Sequence, residues 1–228
     1  GREFVEFHDI AATAKVRGKG IGFAGVGVKL ALLCAEKVIT ETKRGSVHTA
    51  TQWRLESSQR APWEYVLPSG LVDSPGGGTA VSITVSSQST ELTRKEFIEY
   101  VVQTHFYPIL HEEFMNNILK YIYGWGVKFY VNGTLIQLPQ PTRIIQSRLF
   151  NVRLGRRKKI VGFGLLAKSR EELLEDERGI AISTYGKVIK RGWDWVGIVP
   201  RNPMCLTGIV EIPKLSEILT TNKVDFLK

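Results

Sequence analysis

Cysteine is scarce: the 228 residues hold two, Cys34 and Cys205. A disulfide framework is thereby excluded, and a reducing cytosol is the expected compartment. Cys34 stands in an apolar stretch and reads as a small core residue. Long apolar runs are missing too. None reaches the roughly 18 residues of a membrane span, and no charged-then-apolar leader opens the sequence, so no membrane partner is expected. His8, His48, His105 and His111 show no ligand spacing with the cysteines, and no metal site is assigned. Acids are the minority, 22 against 31 Lys and Arg, for a formal charge of +9. That balance permits nucleic acid as a partner and suits any phosphate-binding protein. The Gly-x-x-x-x-Gly-Lys-Ser/Thr spelling of a P-loop is absent. A dinucleotide fingerprint fails as well, because no apolar strand precedes the first glycines. With 43% hydrophobic and 23% charged residues, the length suffices for one large domain or two modest ones.

What the chain has is glycine in one place. Gly18, Gly20, Gly22, Gly25 and Gly27 fall within ten residues, and Val28-Lys29-Leu30-Ala31-Leu32-Leu33-Cys34-Ala35 follow. This reads as a loop closing onto a buried helix from Val26 to Glu36. The first N–H groups of a helix have no internal partner and sit at the positive end of its dipole. Glycines before them let a phosphate come close to the backbone. Lys29 adds a charge in the first turn.

The remaining elements are predicted in order. Phe4, Phe7, Ile10 and Ala11 share a helical face. Val38–Lys43 and Ser46–Glu56 alternate around Arg44-Gly45-Ser46 as a hairpin. Trp63–Leu67 and Thr79–Ser86 are two further strands. Thr93 and Glu96 spell a capping box for a helix running to His105, and Pro108 breaks it. His111–Ile122 is the next helix. Val127–Val131, Asn132-Gly133 and Leu135–Leu138 form a hairpin. Lys159–Ala167 is a strand, Ser169–Leu174 a short helix, Gly179–Thr184 and Lys187–Lys190 a hairpin around Tyr185-Gly186, and Thr207–Ile212 the last strand. The class is α+β. Boundaries are expected at 1–87, 88–125 and 126–228.

Gly22-x-x-Gly25-x-Gly27-x-Lys29 before an apolar stretch, with Gly78-Thr79 opening a later strand, resembles the GHKL ATPases. That superfamily includes gyrase B subunits, MutL, heat-shock-ninety chaperones, MORC proteins and type IIB topoisomerase B subunits. The run 179–190, then Gly208–Ile212, then Thr221-Asn222-Lys223-Val224-Asp225-Phe226, is similar to their transducer domain, and closest to MORC proteins. The resemblance implies a partial Bergerat-type ATP-binding sandwich followed by a transducer of ribosomal-S5 type. It implies ATP and Mg2+ as cofactors and ATPase activity that moves the second domain. Backbone amides of Gly25, Val26, Gly27 and Val28 would hold phosphate, Gly22 would let a lid fold over it, and Lys29 would add charge. Thr79 would help position an adenine-recognising Asp, and Lys223 would read the γ-phosphate. A homodimer, DNA or a protein client are the partners it allows, in the cytoplasm, or in the nucleus for a MORC-like protein.

Two boxes of that superfamily do not precede Gly18: Glu-x-x-x-Asn, which supplies the base and the magnesium ligand, and Asp-x-Gly-x-Gly. Glu113 to Asn117 matches the first spelling, and Asp176 to Gly179 approaches the second, both out of order. The catalytic residues and the magnesium ligand are therefore not assigned. The opening at Arg2-Glu3-Phe4 reads as mid-helix, so the chain is expected to be a fragment. The alternative is a non-catalytic domain that dimerises or binds nucleic acid. Its best feature is the cluster Arg153, Arg156, Arg157, Lys158 and Lys159.

Overall fold

The computed structural model describes residues 6–9, 15–22, 25, 27–57, 60–85, 90–124, 126–138 and 143–227. The class is α+β, with two larger sheets and one short hairpin. The chain divides into two compact units. One comprises 1–15 and 24–91, the other 16–23 and 92–228.

The first unit is a four-stranded antiparallel sheet ordered β3-β2-β1-β4. Its strands are β1 (Ala35–Arg44), β2 (Val47–Trp53), β3 (Trp63–Val66) and β4 (Gly78–Val85). The hairpin predicted around Gly45 is present, with Arg44 opposite Val47 and Gly45 at φ 58°. Period-2 alternation sets its register, since a slip of one residue would turn Val38 and Trp53 out of the core. Both are buried with Leu32, and Phe7, Ala31 and Trp63 pack on them. The long helix expected over Val26–Glu36 is not there. A helical turn, α1 (Gly27–Leu30), passes into a 3-10 turn (Ala31–Leu33), and β1 begins at Ala35. The ladder to β4 already claims Ala35 and Lys37, opposite Val85 and Thr84. Of the apolar side chains described there only Leu32 is buried, while Leu33 is 73% exposed. Cys34 is exposed rather than a core residue. The helix expected at the chain start falls largely outside the described residues; 6–8 are helical.

The second unit is built on a five-stranded sheet ordered β10-β9-β11-β8-β7. The strands are β7 (Ile144–Leu154), β8 (Lys159–Ser169), β9 (Gly179–Thr184), β10 (Lys187–Gly192) and β11 (Leu206–Glu211). β9 and β11 run parallel, and the other pairs are antiparallel. β5 (Tyr130–Val131) and β6 (Thr134–Leu135) flank Asn132-Gly133, both at positive φ, as the Asn-Gly pair predicts. The helices are α2 (Lys95–His105), α3 (Tyr107–Leu110), and Glu112–Tyr123 with a π turn over Met115–Leu119. Ile109, Phe114, Ile118 and Leu119 bury against Leu165, Ala167 and Ile209 of the sheet.

Two sequence expectations change here, and one strand is new. The helix starts one residue later than the Thr93 spelling predicts: Glu91–Thr93 make their own 3-10 turn, and Arg94 stands at the cap of α2. Ser169–Leu174 is not a helix: the β7–β8 ladder runs out to Ser169, and the helical turn comes later, at Glu175–Glu177. β7 was not predicted at all. It is an edge strand exposed along nearly its whole length, so it carries no burial alternation to read.

Candidate functional site

The glycine segment is shared between the units, with Gly22 in the second and Gly25 to Lys29 in the first. Gly25 has φ 63°, a left-handed conformation that favours glycine. Gly27 opens α1, is exposed, and has nothing within 4 Å of where a Cβ would stand. Val26 and the side chain of Val28 lie outside the described residues. Lys29 is buried, and its ammonium donates to the backbone oxygen of Asp9. Burial lowers its pKa, with the Asp9 charge acting against the shift. The lysine is thus tied to the segment before the glycines rather than left pointing to solvent.

Thr79 lies on β4 opposite Thr42 of β1, and their hydroxyls are 3.0 Å apart. Ala35, where the glycine segment delivers the chain to the sheet, is seven residues from Thr42, or about 23 Å of strand rise. On the Thr79 face lie Thr42, Thr40 and Thr51, because Thr40 pairs with Thr51 and residues two apart share a face. Thr51 receives the ring of buried His8 at 3.0 Å, and His8 stacks on Trp63 at 4.2 Å between centroids. The Thr40 hydroxyl is buried and has no hydrogen-bond partner among the described residues. This face is a row of threonines on which, among the described residues, the Thr40 hydroxyl and the Trp53 ring N–H are both unspent, a feature sequence reading missed because threonine in a strand looks like ordinary β propensity.

The opposite face of the same sheet is closed by a buried carboxylate. Glu41 on β1 accepts from the backbone N–H groups of Ser69 (2.8 Å) and Val72 (3.0 Å) and from the Ser69 hydroxyl (3.2 Å). The His48 ring lies 2.8 Å away. Burial pushes the carboxyl up, but the hydrogen bonds from Val72, His48, Ser69 and Leu71 outweigh it and hold the pKa at about 2. The folded value lies below the ordinary 4.5, so this contribution is complete above pH 4.5 and drains away as pH falls toward 2. The first unit is therefore expected to lose stability in that acid window, and Glu41→Gln to flatten the acid limb. Calorimetric scans across the window check this, and an acid limb equally steep in both proteins would contradict it.

In the second unit, Lys223 sits in a left-handed turn at φ 58°, half-buried, with its N–H donating to Thr220. It lies close enough to Lys187 for its charge to add to the burial that lowers the Lys187 pKa. Arg153 is next to last in β7, Arg156, Arg157 and Lys158 lie in the turn after it, and Lys159 opens β8, all exposed. The Glu113–Asn117 spelling is spent within its helix, where the Asn117 amide donates to the Glu113 carbonyl at 2.7 Å. Asp176 lies in the 3-10 turn before β9. Among the described residues, no three His, Cys, Asp or Glu side chains gather to hold a metal ion. Gly25–Leu30 contributes no carboxylate, so nothing there fits magnesium.

A feature the sequence did not announce is Glu211 at the end of β11. It accepts from the Ser183 hydroxyl (2.6 Å) and from the backbone N–H groups of Tyr185 (2.5 Å) and Gly186 (3.1 Å). The Tyr185 hydroxyl donates in turn to the Gly18 carbonyl at 3.0 Å, and the Arg17 guanidinium to the Leu219 carbonyl. Arg17 and Gly18 are thereby held on the second unit, by Leu219 and by the β9–β10 turn.

The fold and these sites define an α+β protein with a glycine-rich turn leading into an antiparallel sheet. No known family model matches the chain, and none of the curated proteins matches it. Among the described residues no helix is long and apolar enough to cross a membrane.

Proposed function

We propose that the first unit is the ATP-binding module of a GHKL-type ATPase. The observation that carries the reading is the unobstructed backbone at Gly27, which opens the first helical turn. Space for a phosphate oxygen exists where any other residue would put a Cβ. The accessible end of the threonine row, Thr42 with the exposed Thr79, supports it as a polar surface for the rest of a nucleotide. Binding is what these residues offer. No base for hydrolysis and no magnesium ligand are assigned to them, and the chain's own groups hold and orient phosphate only.

Titration with a non-hydrolysable ATP analogue in a calorimeter tests this. Weak, saturable binding is expected, and no binding at millimolar nucleotide overturns it. Lys223 enters the same reading through the resemblance alone, as a compact charge on a long stem that tells ATP from ADP. Lys223→Ala is expected to weaken binding of the ATP analogue several-fold and of ADP hardly at all. Equal losses would remove Lys223 from the site.

A further inference from the structure

The positive charge of this protein is not spread over it. Residues 114–170 carry eleven of the 31 Lys and Arg and none of the 22 Asp and Glu. The rest of the chain holds 20 cations against 22 acids, so the excess charge belongs to this one stretch. Within it, β7 and β8 form a hairpin of two 11-residue strands closed by Gly155–Lys158, where the Lys158 N–H donates to the Gly155 carbonyl at 3.0 Å.

The hairpin reaches past the sheet it belongs to. β11 pairs with β8 only from Phe163 to Lys168. Beyond Phe163 the ladder continues between β7 and β8 alone, through Val152–Gly162, Arg153–Ile160 and Leu154–Lys159. The register shifts between Val152 and Arg153, so Val161 is an extra residue at the base of this arm. A bulge there bends and twists the ribbon as it leaves the sheet. The tip carries Arg153, Arg156, Arg157, Lys158 and Lys159, all exposed. Among the described residues, Arg156, Arg157, Lys158 and Lys159 form no ion pair. Arg153 gives one bond to the Lys158 carbonyl at 3.2 Å and keeps its other N–H donors.

Cations on an edge strand have a mundane use, since they keep sheet edges from pairing with each other. Arg148, midway along β7, fits that role. The three consecutive cations of the turn, Arg156 to Lys158, do not, because a turn presents no ladder to protect. A two-stranded ribbon with strands about 4.8 Å apart fits the roughly 12 Å major groove of B-form DNA. The deep, narrow major groove of A-form RNA is closed to it. The apolar Leu154 and Ile160 beside the cations, 68% and 41% exposed, can lie against sugar and base edges. We propose that the β7–β8 arm is a docking element for duplex DNA, which it engages mainly through phosphates and without strong sequence preference. This is independent of any nucleotide site in the first unit.

The test is anisotropy of a labelled DNA duplex titrated with the full chain over a range of salt. The parent is expected to bind at low salt, with affinity falling steeply as salt rises. Replacing Arg156, Arg157, Lys158 and Lys159 by Ser should weaken binding on the order of 100-fold at low salt. The slope of log affinity against log salt should become shallower by about three to four, near one for each phosphate no longer neutralised. A charge-matched control, with the exposed Lys37, Arg44, Arg201 and Lys214 changed to Ser, should leave binding and slope nearly unchanged. Circular dichroism of both variants shows that the fold survives. A parent that does not bind, or a control that weakens as much as the arm variant, overturns the proposal. So does tighter binding to an RNA duplex or to phosphatidylserine vesicles than to DNA.

Discussion

Glu211→Leu is expected to destabilise the second unit by about 3–5 kcal/mol, and the turn between β9 and β10 should be the part that fails. Glu211 is buried, and its carboxyl is the acceptor for three donors: the Ser183 hydroxyl and the N–H groups of Tyr185 and Gly186. A buried donor left unpaired costs about 1–3 kcal/mol, and the three do not add fully because they share one acceptor. The turn cannot easily rearrange to find other partners. Tyr185 and Gly186 are at φ 51° and 72°, and a Cβ on Gly186 would stand 2.5 Å from Ile109. Ser183→Ala removes one donor and leaves the acceptor in place, so it should cost about 1 kcal/mol. Urea unfolding followed by circular dichroism compares the three proteins, and a loss under about 1 kcal/mol in Glu211→Leu would show that the carboxyl does not hold the turn.

The same group gives the second unit a pH dependence opposite to that of the first. Burial raises the Glu211 pKa, and the bonds from Ser183, Gly186 and Tyr185 oppose the shift without cancelling it. The folded state thus prefers the neutral carboxyl. That preference favours folding at pH below the ordinary 4.5 and is lost as pH rises through the elevated folded value. Glu41 does the reverse. Two buried carboxyls on strands thus differ in whether their donors outweigh their desolvation, and spacing in the sequence cannot register that balance.

Hairpins were the most legible part of the chain. Arg44-Gly45, Asn132-Gly133 and Tyr185-Gly186 all stand at turns between paired antiparallel strands. These signals are local, and tertiary packing only reinforces them. The apolar run after Gly27 misled because composition alone does not separate a buried helix from a strand. The competing ladder to β4, where Ala35 meets Val85 of a strand far along the chain, decided it. β7 was invisible for the opposite reason, since an exposed edge strand leaves no hydrophobic period. At the candidate site the glycines could be read, because positive φ at Gly25 and open space at Gly27 are properties of missing side chains. The tie between Lys29 and Asp9 could not, since a lysine beside glycines looks the same whether it faces solvent or a carbonyl.

Gly27→Val should abolish nucleotide binding and leave folding almost untouched, and that separation is the strongest check on the proposed function. A Cβ at Gly27 meets no protein atom within 4 Å, so the added methyls crowd nothing in the fold. Gly27 is not at positive φ, so no backbone strain is added, and a β-branched residue in a single helical turn costs only a few tenths of a kcal/mol relative to better helix formers. The same methyls would occupy the volume a phosphate oxygen needs to reach the N–H groups at the start of α1. Those groups have no partner inside the helix, and in the proposed site a phosphate would take their bonds. The expected result is a melting temperature within a few degrees of the parent, together with no calorimetric signal from an ATP analogue the parent binds. Gly25 is the informative neighbour: at φ 63° a side chain there is strained whatever the ligand, so Gly25→Val should lose stability and binding together. If Gly27→Val binds the analogue as the parent does, the glycine segment is a turn with no phosphate in it.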